Sequence, residues 1–178
     1  MLQLGSGSRL PKLAAMELAF CHSANRLCRF PLPRRFFAVV SRLGDGVAWY
    51  TLTLVLPLIY GAQAVHVSLR LAAVGALGLV IYKWIKGVTA RPRPFATADD
   101  IRLGAAPLDR YSFPSGHTLH AVGFTVVATT YFPSLVPILV PFALLVAASR
   151  VILGLHYPTD VVSGAIIGLG TAHLGLLL

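Results

Sequence analysis

Five stretches of this chain, Val47–Ala64, Val67–Ile85, Ser115–Phe132, Leu135–Leu153 and Thr159–Leu178, stay apolar for close to the roughly 20 residues that a helix needs to cross a bilayer. Inside lipid every backbone N–H and C=O must be satisfied within the protein, so runs of this length fold as helices. With 56% hydrophobic and only 12% charged residues, and a mean hydropathy of +0.76, the chain is too apolar for an ordinary soluble domain. The expectation is all-α: a polytopic membrane helix bundle with five to six transmembrane helices and an N-terminal amphipathic helix. It divides into an interfacial segment over residues 1–46 and a transmembrane core over 47–178.

Within the first segment, Lys12 to Phe30 places Leu13, Met16, Phe20, Ala24 and Leu27 on one helical face and His22, Arg26 and Arg29 on the other, the pattern of a helix lying in the interface. The run Pro-Leu-Pro-Arg-Arg breaks it. Phe36 to Leu43 is a short apolar piece ended by Gly44-Asp45-Gly46, in which Asp45 reads as a turn former. The leading Gly-Ser-Gly-Ser run precedes no apolar core of signal-peptide type, so no cleavage is expected. Cys21 and Cys28 are seven residues apart, about 10 Å along a helix and too far for a disulfide, so both read as buried thiols. Gly164, Gly168 and Gly175 mark close helix packing in the last apolar stretch.

Following the spans in order brings the polar residues to one membrane face. The second span ends near Lys86, the long polar loop Arg91 to Phe113 follows, the third span leaves that face, the fourth returns to it at Arg150, and the fifth departs after His156 and Asp160. A loop of that length in a compact protein is usually functional. The net charge of +9 comes with no basic helix or RNA-binding signature, which points to anionic lipid or phosphate as partner and not to nucleic acid.

The face collects Lys86, Arg91, Arg93 and Arg150 as cations, His117 and His156, and Asp160 four residues beyond the second histidine. Several fixed cations around a histidine suit phosphoryl transfer, which is catalysed by positioning and by stabilising charge on non-bridging oxygens. In Pro114-Ser-Gly-His117, Ser115 can cap a helix and Gly116 lets the backbone approach an oxyanion, so the helix start becomes a phosphate seat. Asp160 can orient His156 as a nucleophile, whereas His117, with no carboxylate near it in sequence, is assigned as the general acid. Arg91 is a further candidate for the phosphate. His120 lies three residues from His117 instead of the helical metal-pair spacing of four, so neither metal nor cofactor is expected. Asp99, Asp100, Asp109 and Arg110 read as a solvated rim.

At these residues the sequence resembles the type 2 phosphatidic acid phosphatase superfamily, which also includes vanadium haloperoxidases and glucose-6-phosphatase. Its three-part signature matches Lys86 through Arg93-Pro94, then Pro114-Ser-Gly-His117, then Ser149-Arg150 with His156 and Asp160. The resemblance implies metal-independent hydrolysis through a phosphohistidine on His156, with His117 as acid and with Lys86, Arg93, Ser115, Gly116 and Arg150 on the phosphate. It also implies a membrane helix bundle acting on a phosphorylated membrane lipid: undecaprenyl diphosphate, phosphatidylglycerol phosphate, phosphatidic acid or lipid A phosphate. A phosphotransferase using the same phosphohistidine, or a catalytically silent lipid-binding or transport protein, are the alternatives. The family's habit implies a bacterial inner membrane with the site at the periplasmic face, although Arg34, Arg35 and Arg42 weigh the other way in a positive-inside count.

Overall fold

A computed structural model describes residues 9–178, and the leading Gly-Ser run, with the cleavage expectation attached to it, lies outside them. Helix α1 (Arg9–Asn25) ends in a 3-10 turn at Arg26–Arg29. Its apolar side chains Leu13, Met16 and Phe20 are exposed, as an interfacial face requires, while Glu17, Cys21, Asn25 and Cys28 form a buried stripe at helical spacing. Asn25 explains how a polar stripe can be inside: its Nδ2 donates to the Ile152 and Arg102 carbonyls, both at 2.9 Å, and its Oδ1 accepts from the Arg102 N–H at 2.8 Å. Both thiols are free and buried, and burial pushes the Cys21 thiol up to about 12.

Helix α2 (Pro31–Arg42) starts on proline, whose missing N–H costs nothing in a first turn. The break expected at Gly44–Gly46 is there: α2 and the next helix, α3 (Ala48–Tyr60), meet at a kink where Gly46 leaves helical geometry, and the whole Pro31–Tyr60 stretch is long and apolar enough to cross a membrane. Helix α4 (Val65–Thr89) is the longest, and it ends where Ala90 turns left-handed and its N–H bonds to the Lys86 carbonyl. The single turn α5 (Pro94–Thr97) opens the long loop.

Helix α6 (Gly116–Tyr131) is the axis of the bundle, packed against α4, α7 (Val136–Ile152) and α8 (Pro158–Leu177). Ten of its sixteen residues are buried, His117, Thr118 and Thr125 among them, as a central place in the bundle requires. Close approach depends on Gly164 and Gly168 of α8, where an added Cβ would run into the backbone carbonyls of Ser115 and Leu119. Among the described residues four helical stretches are long and apolar enough to span a bilayer: Pro31–Tyr60, Ala62–Thr97, Pro133–Ile152 and Pro158–Leu177. The chain is a multi-pass, all-helical membrane protein. The expected span Ser115–Phe132 is helical too, but α6 covers only about 24 Å of axis.

Candidate active site

The C-terminal ends of α4 and α7 and the N-terminal ends of α6 and α8 meet around a cavity of about 380 Å³. Lys86, Arg93, Arg150, Gly116, His117 and His156 line one part of it, together with Asp45 and Asp109. The rest is largely apolar: Ala72, Gly75, Ala76, Leu79 and Tyr82 of α4 recur at helical spacing on one helix face that leads to Lys86, opposite Trp49, Tyr50 and Thr53 of α3 and His120 and Phe124 of α6. From Ala72 to Lys86 that face runs about 21 Å.

His156 is almost fully buried. Its Nε2 lies 3.1 Å from Arg93 Nη1, and because a guanidinium only donates, Nε2 carries the lone pair and the ring proton sits on Nδ1. Nδ1 faces Asp160 Oδ2 at 3.6 Å, beyond hydrogen-bonding distance. Burial first, then the charges of Arg150, Arg93, Lys86 and His117, hold the imidazole well below its ordinary pKa, so it stays neutral.

Asp160 is held elsewhere at close range. Its Oδ2 accepts the Tyr157 N–H at 2.8 Å and caps α8, and its Oδ1 accepts from Arg91 Nη1 at 2.7 Å. Arg91 does not line the cavity. Its guanidinium is taken up by Asp160, by Thr159 and by Glu17 at 2.9 Å, and stacks 4.0 Å from the Tyr157 ring. Expected as a candidate for the phosphate, Arg91 is placed as the clamp on Asp160. Glu17 completes the clamp by accepting the Thr159 N–H at 2.9 Å; burial opposes its ionisation, but the Thr159 and Arg91 bonds hold its carboxyl below the ordinary value.

Ser115 caps α6, its hydroxyl accepting from the Thr118 N–H, and its own N–H bonds to the Asp160 carbonyl at 3.0 Å. The expected cap is therefore in place, but it is Gly116 and His117 that reach the cavity. Arg150 is 2% exposed, bonds to Ser41 of α2 through Nη1, and leaves its Nε with no acceptor among the described residues. A buried N–H without a partner costs about 1–3 kcal/mol, a cost that an anion in the adjoining cavity removes.

Two acidic residues belong to the cavity that the sequence reading set aside. Asp109, expected in a solvated rim, accepts from Lys86 Nζ at 2.8 and 2.9 Å and from Arg93 Nη2 at 2.7 Å. Burial opposes its ionisation, yet the bonds and charges of Lys86 and Arg93 outweigh that and hold its carboxyl low. Asp45, expected only to form a turn, touches His117 Nε2, so His117 does have a carboxylate partner. Asp45 carries a signal of this in sequence, acidic charge between two apolar runs where an ionised side chain is costly without a partner, whereas Asp109 carries none.

Comparison with known proteins places this geometry. The chain is 30% identical over 130 residues to an undecaprenyl-diphosphatase of Sulfolobus acidocaldarius, 72% of this chain and 62% of that protein. It is 40% identical over 82 residues to a decaprenylphosphoryl-5-phosphoribose phosphatase of Mycolicibacterium smegmatis, 45% of this chain and 42% of that one. The chain thus spans less than two thirds of these curated relatives. The crystal structure of Aquifex aeolicus LpxE superposes with a TM-score of 0.78 at 29% identity, covering 90% of this chain and 94% of the other. The transmembrane PAP2 type phosphatidylglycerolphosphate phosphatase of Bacillus subtilis gives 0.76 at 25%, covering 93% and 85%. The PAP2 superfamily profile matches residues 63–178, which include every motif residue around the cavity, and the chain belongs to that superfamily.

Proposed function

We propose that this protein is a membrane lipid phosphatase working through a phosphohistidine. The observation that carries the reading is one cavity in which Lys86, Arg93 and Arg150 stand with His117 and His156 beside a largely apolar slot along α4. A phosphate with its tail still in lipid fits such a site: the headgroup takes Lys86, Arg93, Arg150 and the start of α6, and the tail lies against Ala72, Gly75 and Ala76. His156 Nε2 attacks phosphorus, the P–O bond to the lipid breaks, and His117 protonates the departing oxygen. Water then hydrolyses the phosphohistidine. The cations stabilise the non-bridging oxygens, the main catalytic lever in phosphoryl transfer.

The names of the relatives favour an isoprenoid phosphate or diphosphate or another lipid phosphate as substrate. Phosphate release from a panel of polyprenyl diphosphate, phosphatidylglycerol phosphate, phosphatidic acid and lipid A phosphate is the test. Release from at least one is expected, and release from none contradicts the reading. In this account α6 is a fifth crossing and the site faces outward from a bacterial inner membrane. Single cysteines at Ala98 and Gln63, in a background lacking Cys21 and Cys28, then label from opposite sides, with position 98 reached from outside; labelling of position 63 alone in intact cells reverses the orientation.

A further inference from the structure

Asp45 is delivered to the cavity by a piece of backbone with no other evident purpose. The kink at Leu43–Val47 parts α2 from α3, with Gly46 outside helical geometry, and sets Asp45 at the junction of the two helices. Gly46 makes the turn with φ at 124°, a conformation that side chains rarely adopt. Gly44 lets the turn press against α7 and α6, since an added Cβ would sit 3.0 Å from Val146 Cγ1 and 3.7 Å from His117 Cδ2. The outcome is a carboxylate, 14% exposed, with Oδ1 on His117 Nε2 and Oδ2 3.4 Å from Arg42. Asp45 lies outside the residues that the superfamily profile matches.

We propose that Asp45 is the positioning residue of the general acid. This rests on the reading of the cavity as a phosphatase site with His117 as acid. By accepting a hydrogen bond from Nε2–H, Asp45 fixes the ring's orientation and leaves Nδ1, which makes no hydrogen bond among the described residues, to carry the transferable proton. The carboxylate also compensates the imidazolium's charge against Lys86 and Arg150, which line the same cavity. In the step itself the P–O bond breaks, its electron pair stays on the leaving oxygen, and that oxygen takes the Nδ1 proton as the His156 Nε2–P bond forms. His117 ends neutral with its Nε2 proton still held by Asp45. The carboxylate orients and stabilises without taking the proton, the division of labour familiar from catalytic triads.

The test uses the full chain in nanodiscs with Asp45→Asn and Asp45→Glu, on a long-chain alkyl phosphate and on p-nitrophenyl phosphate. Asp45→Asn should lower kcat on the alkyl ester by about 100-fold with KM within about twofold. Turnover of the p-nitrophenyl ester, whose leaving group needs no proton, should stay within about threefold. Asp45→Glu should restore part of the loss, and it carries the leaving-group comparison alone if the asparagine variant does not fold. Equal losses on both esters, or a raised KM at unchanged kcat, overturn the proposal. Histidine ¹⁵N NMR reads the pairing without turnover: the hydrogen-bonded Nε2–H signal of His117 should vanish in Asp45→Ala, which leaves no acceptor there, and an unchanged signal in that variant overturns the pairing whatever the kinetics. A wild-type protein that turns over neither ester, with the His117 signal present, removes the phosphatase reading and this role with it.

Discussion

Arg93 donates from Nη1 to His156 Nε2 across 3.1 Å, and the same nitrogen donates to the Leu155 carbonyl at 2.8 Å. The guanidinium thereby holds the loop between α7 and α8 and occupies the Nε2 lone pair of His156, which in the proposed mechanism is released to attack when phosphate draws the Arg93 donor to its own oxygens. Lysine at this position keeps the charge and loses the planar fork. Arg93→Lys should reduce kcat/KM by about 100-fold, in the range found when a preorganised donor is removed, measured on the substrate found by the release screen.

Asp109 pairs with Lys86 and Arg93, two of the cations that the proposed mechanism gives to the phosphate. Phosphate has to displace it, so its carboxylate weakens anion binding. Asp109→Asn should tighten inhibition by inorganic phosphate by about tenfold, equivalent to about 1.4 kcal/mol. If Ki rises instead, Asp109 serves to organise the two cations and not to compete for them.

The apolar slot is open because α4 carries Ala72, Gly75 and Ala76 where it passes α6. Filling it should separate lipid from soluble substrates. Ala76→Trp is expected to raise KM for a long-chain lipid phosphate by about tenfold or more while leaving p-nitrophenyl phosphate turnover near wild type. Parallel losses on both substrates would place the tail somewhere else.

His156 stays neutral in the folded protein at pH values where the unfolded chain, titrating near 6.5, binds a proton. The unfolded state then binds more protons, so stability is full above that value and declines as pH falls below it toward the depressed folded value. Thermal midpoints in nanodiscs should drop between pH 7.5 and 5, and His156→Gln should flatten that drop. Identical pH dependence in the two proteins would show that His156 is not buried neutral.

The sequence makes legible what depends on spacing near helix ends. Lys86, Arg93, His117, Arg150, His156 and Asp160 meet because each stands at or beside the end of an apolar run, and counting spans already brings those ends to one face. Contacts set by tertiary packing are not legible in the same way. His117 meets Asp45 across 72 residues, Arg150 meets Ser41 across 109, and Thr159 meets Glu17 across 142. All three partners lie in the N-terminal third, where no motif fixes a register. Asp109 is only 23 residues from Lys86, but it sits in a loop without periodicity, so nothing local says which way its side chain turns. The break at Gly44–Gly46 is legible in its two glycines, but the direction in which the turn aims Asp45 is not.

In the proposed mechanism His156, and not His117, takes the phosphoryl group. Rapid quench into alkali after mixing with ³²P-labelled lipid phosphate, followed by peptide mapping, tests it directly. The account predicts an acid-labile, alkali-stable phosphoenzyme on the peptide containing His156, absent in His156→Ala and accumulating in Asp160→Asn no faster than in wild type. Label mapping to His117, or full turnover by His156→Ala, would contradict it.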